Sequence, residues 1–111
     1  MENNIYTTLS KLGVSPSIKG YYYVEEAVKY VLENGPLVKT TAIYYHIAKK
    51  VNSTYPRVER CIRHAVTQAL NRGKMDFIDL VFGRAFTPEG RITNGDFIFS
   101  VANYVKENTN E

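Results

Sequence analysis

IAKKVNSTYPRVERCIRHAV, residues 47–66, carries two apolar stripes at helical spacing with a short polar break between them. Ile47, Ala48 and Val51 lie before the break, and Val58, Ile62, Ala65 and Val66 follow it at i, i+4, i+7 and i+8. Asn52 tolerates a left-handed backbone better than a branched residue would, so "NST" reads as a tight turn. Pro56 costs little in a first helical turn, where amides have no intrahelical acceptor to lose, and Ser53 or Thr54 is available as the cap. A small residue at Ala48 lets the second helix approach the first. The stretch therefore predicts a helix-turn-helix, with a first helix over residues 41–51 and a second over residues 56–72.

At 100° per residue, Glu59, Arg63, Thr67, Arg60, His64 and Arg57 sweep about half the circumference of the second helix, and none of them is a large apolar group. The N-terminal turns of a recognition helix lie deepest in the major groove, which makes Arg57, Glu59 and Arg60 the base-reading candidates. Arginine donates two hydrogen bonds to guanine O6 and N7, and glutamate accepts one from cytosine N4. Arg63 and His64 lie a turn further on and suit phosphates, as do Lys49 and Lys50 at the end of the preceding helix. The plainer reading of Glu59 and Arg63, four residues apart, is an intrahelical ion pair of a few tenths of a kcal/mol.

Outward from this stretch the helical spacing continues. Ile5, Leu9 and Leu12 predict a short first helix ended by Gly13. IKGYYYVEEAVKYVLENG, with Ser15 or Ser17 as cap, places Val24, Ala27, Val28 and Val31 on one face before Gly35 and Pro36 stop it. MDFIDLVFG predicts a short helix beginning after Asp76, RAFT a short extended piece, and TPEGRITNG a loop. DFIFSVANYVKEN closes the chain as a helix with Phe97, Val101, Ala102 and Val105 inward. The expected fold class is all-α, a compact six-helix domain containing a helix-turn-helix, with residues 1–111 forming one domain.

The charge is distributed unevenly. Residues 39–74 hold eight lysines and arginines against the single acid Glu59, a local net charge of +7 in a chain whose total is +3, so the ends are acidic. A polyanion explains such a basic middle, because clustered Lys and Arg neutralise phosphates and release condensed counterions. The lone Cys61 excludes an internal disulfide, and His46 and His64 have no acidic or cysteine partner at ligand spacing, so neither a metal site nor a cofactor is expected. Cys61 reads as a small buried side chain, His46 as a surface or packing residue, and Tyr21-Tyr22-Tyr23 as core rings with partial exposure. No nucleophile elbow, phosphate loop or paired carboxylates appear, so no enzyme is expected. No apolar run approaches the ~20 residues of a membrane span and the N-terminus lacks a secretory pattern, which predicts a soluble, cytoplasmic protein.

IAKKVNSTYPRVERCIRHAV, with IKGYYYVEEAV upstream and NRGKMDFIDLVFG and TNGDFIFSVANYV downstream, resembles the C-terminal effector domain of the master response regulator of sporulation, over residues 5–106. The resemblance implies a six-helix transcription factor domain that reads a DNA box resembling TGTCGAA. It implies base contacts for Arg57, Glu59 and Arg60 and backbone contacts for Arg63 and His64. It further implies a tandem homodimer with residues 96–105 in the protein contact, and an RNA polymerase sigma factor engaged by residues 76–86. Two features depart from the family: Tyr55-Pro56 stands where members usually carry small or polar residues, and no phosphoacceptor receiver domain accompanies the effector in this sequence. The expectation is a sequence-specific double-stranded DNA-binding regulator of transcription. The competing reading is a protein-interaction module or antagonist that keeps the fold without binding DNA.

Overall fold

The computed structural model describes residues 2–108. Six α-helices occur in order among the described residues: α1 Glu2–Lys11, α2 Lys19–Asn34, α3 Thr40–Lys50, α4 Tyr55–Arg72, α5 Met75–Phe82 and α6 Asn94–Glu107. A 3-10 turn, Gly83–Ala85, follows α5, and no strand occurs among the described residues. The all-α class is thus observed.

Helix α2 is the central element, packing against α1, α3, α4 and α6. Its inner face contributes Val24, Ala27 and Val28, all fully buried, to one core with Ile5 and Leu9 of α1, Ile43 and Ile47 of α3, Val58 and Ile62 of α4, and Phe97 and Ile98 of α6. The spacing that predicts each helix also supplies its buried stripe. Gly20 sets how closely α2 meets α4: a Cβ there would lie 2.2 Å from the carbonyl oxygen of Cys61, inside any permissible contact. The α1 terminus follows the expected glycine stop, with Gly13 at φ +85° and the Val14 amide donating to the Leu9 carbonyl at 3.0 Å.

Three local expectations are corrected. Neither Ser15 nor Ser17 caps α2: their hydroxyls bond each other at 2.7 Å, and Ile18 occupies the cap position without a side-chain bond. Helix α5 starts at Met75, one residue before Asp76, which instead lies in its first turn where a carboxylate favours the helix dipole. RAFT is not extended as a unit, because Arg84 and Ala85 belong to the 3-10 turn and extended dihedrals begin at Phe86. Tyr21 and Tyr23 are buried and Tyr22 is exposed, as the triple-tyrosine run predicts.

Candidate nucleic-acid interface

The helix-turn-helix is built by bonds that the sequence encodes locally. Helix α3 is capped by Val51, whose amide donates to the Ile47 carbonyl at 2.9 Å, and Asn52 turns the chain at φ 55°. The Ser53 amide returns to the Ala48 carbonyl at 2.8 Å, which satisfies an orphan carbonyl of the helix end. Thr54 then caps α4, its hydroxyl accepting from the Arg57 amide at 3.4 Å, with Pro56 in the first turn. Ile47, Val58 and Ile62 are fully buried and Ala48 nearly so, which fixes the rotation of α4 about its own axis. That rotation is what turns Arg57, Glu59, Arg60, Arg63, His64 and Thr67 outward, and all six are exposed.

The six do not form one uniform patch. Glu59, Arg60 and Arg63 line a groove of about 710 Å³ between the start of α4 and the start of α6, shared with Tyr44, Tyr55 and Asn94. Arg57 and His64, seven residues apart and hence nearly in line along the helix, do not line that groove; His64 lines a smaller concavity with Thr67 and Arg72. Among the described residues neither Arg57 nor Arg60 has an ion-pair partner.

Arg63 does not pair with Glu59. Both of its terminal guanidinium nitrogens donate to the Ile92 carbonyl, at 3.1 and 3.0 Å. Asn94 answers from α6, its Nδ2 donating to the Glu59 carbonyl at 3.2 Å, so two hydrogen-bonded contacts brace α4 against the start of α6. Asn94 Oδ1 is buried without a partner. Burial pushes the neighbouring Tyr44 phenol above its ordinary pKa, while the Asn94 amide beside it acts in the opposite direction.

On α3, Lys49 is exposed with no ion-pair partner among the described residues. Lys50 is different: its ammonium donates to Glu26 Oε1 at 2.7 Å, and Glu26, only 5% exposed, also lies 3.7 Å from Lys29. The hydrogen bond to Glu26 raises the Lys50 pKa, with the carboxylate charge adding to it. Lys50 thus neutralises a buried acid of α2, a role sequence reasoning missed; the partners are 24 residues apart and no periodicity links them. His46 packs its ring on Tyr30, centroids 4.5 Å apart, and Cys61 is half-buried rather than fully so. No group of three or more His, Cys, Asp or Glu side chains able to hold a metal ion occurs among the described residues, and no described helix is long and apolar enough to cross a membrane.

A family model described as "Sporulation initiation factor Spo0A C terminal" matches residues 5–105. The chain belongs to that family. The match covers nearly the whole chain and agrees with the span of the sequence resemblance, 5–106, to within one residue. Membership makes the chain a response-regulator effector domain of sporulation, of the DNA-binding, transcription-regulating kind, in a family that is not one of enzymes.

Proposed function

We propose that the chain binds double-stranded DNA sequence-specifically, with α4 in the major groove, and thereby regulates sporulation transcription. The observation that carries this is the outer face of α4, where Arg57, Glu59 and Arg60 stand exposed in its first two turns, directly after a capped turn. In this reading Arg57 and Arg60 donate to guanine edges and Glu59 accepts from cytosine. Lys49, Lys50, Arg63 and His64 hold the backbone. The structural bonds of Lys50 and Arg63 leave this possible: an ammonium has three donors and a guanidinium five, so each keeps donors for a phosphate. The box resembling TGTCGAA is the first sequence to test.

Two protein contacts accompany this reading. Helix α6 serves a tandem homodimer on adjacent boxes, and residues 76–86, with Met75 and Leu80 exposed beside Asp76 and Asp79, meet an RNA polymerase sigma factor.

The test is a titration of the chain with a duplex carrying the box and with a scrambled duplex, each at two salt concentrations. Tighter binding to the box, weakening steeply with salt for both duplexes, is expected. Absence of binding to either duplex at low salt would replace this reading with the interaction module.

A further inference from the structure

Of the six large apolar side chains exposed among the described residues, Tyr45 alone lies on the helix-turn-helix. It is 64% exposed, yet its ring is held. Tyr55, the first residue of α4, lies 5.1 Å away, centroid to centroid, and is itself fixed edge-on against the buried Tyr44 at 5.0 Å and 88°. Three rings thus join the outer face of α3 to the start of the recognition helix. Lys49, four residues after Tyr45, stands about 40° round the same helix and projects from the same face.

We propose that Tyr45 is an uncharged contact to the DNA backbone, its hydroxyl donating to a phosphate oxygen beside the one held by Lys49, with Tyr55 fixing the ring in position. The inference rests on the DNA-binding reading above and names a contact that the basic face does not include. Two features favour a duplex as occupant. The tyrosine is flanked on its own face by Lys49, which has no ion-pair partner among the described residues, within the segment of +7 local charge. It also adjoins the helix whose first turns carry Arg57 and Arg60. Hydroxyls of tyrosine are ordinary phosphate donors, and such contacts set register without reading sequence. Holding the ring in advance matters because ordering a free side chain on binding costs affinity, and the Tyr55 contact meets part of that cost during folding. Tyr55 is therefore a positioning residue.

An uncharged donor differs measurably from a lysine. It releases no condensed counterion, so its loss lowers affinity at every salt concentration by the same factor, whereas loss of a phosphate-bound lysine also flattens the salt dependence by about 0.9 in log–log slope.

The experiment is a fluorescence-anisotropy titration of wild type, Tyr45→Phe, Tyr45→Ala, Tyr55→Ala, the double variant Tyr45→Phe with Tyr55→Ala, and Lys49→Ala on box and scrambled duplexes over a salt series, with thermal melting of each variant. Tyr45→Phe removes only an exposed hydroxyl, so its melting should match wild type and its binding can be read directly. It should weaken both duplexes about tenfold, the value of one charge-assisted hydrogen bond, with an unchanged slope. Tyr45→Ala should lose at least as much. Tyr45→Phe should cost less in the Tyr55→Ala background than in wild type, since the two act as a unit. Wild-type affinity in Tyr45→Phe, whatever Tyr45→Ala shows, or a slope reduced as in Lys49→Ala, would overturn the proposal while leaving the DNA-binding reading intact. A wild-type chain that binds neither duplex overturns both.

Discussion

Arg63 and Ile92 are joined by two hydrogen bonds from one guanidinium to one carbonyl, 3.1 and 3.0 Å long, across 29 residues of sequence. The bond ties the middle of α4, the proposed recognition helix, to the residue just before the Thr93 cap of α6, the helix proposed for dimer contact. A planar fork makes this geometry, and a lysine ammonium cannot reproduce it. Arg63→Lys should therefore lower unfolding free energy by about 1 kcal/mol while leaving the salt dependence of DNA binding close to wild type. Arg63→Ala should show the same stability loss and, in addition, a salt slope smaller by about 0.9. Denaturant unfolding and duplex titration of the two variants separate the structural role from the electrostatic one.

Gly20 limits the approach of α2 to α4. A methyl group there meets the Cys61 carbonyl oxygen at 2.2 Å and the Ala65 Cβ at 2.9 Å, both on the inner side of α4. Alanine gains up to about 1 kcal/mol in helix propensity over glycine. Overpacking a rigid backbone atom costs about 1–3 kcal/mol or more, and at this separation the upper end applies. Gly20→Ala should therefore destabilise the chain by about 2 kcal/mol net, measured by urea unfolding. A stability equal to or above wild type would mean that α4 shifts freely on α2.

The helix-turn-helix was legible because its determinants are local. Ala48, Asn52, Thr54, Pro56 and the Val58–Ile62 stripe all fall within fifteen residues, and each acts on its near neighbours. The same holds for the glycine stops of α1 and α2. Less legible were ends without a side-chain signal: α2 and α5 begin after Ile18 and Lys74, neither of which makes a cap bond, so tertiary packing set where they start. Within the candidate interface, exposure of Arg57, Glu59 and Arg60 follows from helical periodicity alone. The second duties of Lys50 and Arg63 do not, because Glu26 and Ile92 reach them only through the packing of α2 and the start of α6 against the helix-turn-helix. The three-ring link of Tyr44, Tyr45 and Tyr55 was hidden for a similar reason, since it depends on how the turn brings two helices together.

The Tyr21 hydroxyl is buried without a hydrogen-bond partner, and burial, helped by the charge of Glu25, pushes its pKa up to about 12 from 10.0. Above pH 10 the unfolded phenol gives up its proton while the folded one keeps it. The unfolded state then binds fewer protons, so stability falls as pH rises from about 10 to about 12. Tyr21→Phe removes a hydroxyl that is desolvated and unpaired, and should stabilise the chain by about 1 kcal/mol at neutral pH. It should also make the alkaline decline shallower without abolishing it, because burial raises the Tyr23 and Tyr44 phenols as well. Melting temperatures between pH 7 and 11 check both parts, and an unchanged alkaline decline in the variant would remove Tyr21 as its source.

Arg60 sits in the second turn of α4, exposed, lining the groove with Glu59 and Arg63, and without an ion-pair partner among the described residues. A base-reading arginine and a phosphate-bound lysine fail differently when truncated. Loss of a bidentate guanine contact costs about 1–3 kcal/mol on the cognate site and little on other sequences. Loss of a phosphate contact costs the same on every duplex and flattens the salt dependence. Arg60→Ala should therefore bring the box and the scrambled duplex closer in affinity by roughly tenfold or more, whereas Lys49→Ala should weaken both equally. Neither side chain has a structural bond among the described residues, so both variants should melt as wild type does, and the comparison reads binding rather than folding. Equal losses on both duplexes for Arg60→Ala would move Arg60 from the bases to the backbone and leave Arg57 and Glu59 as the remaining readers.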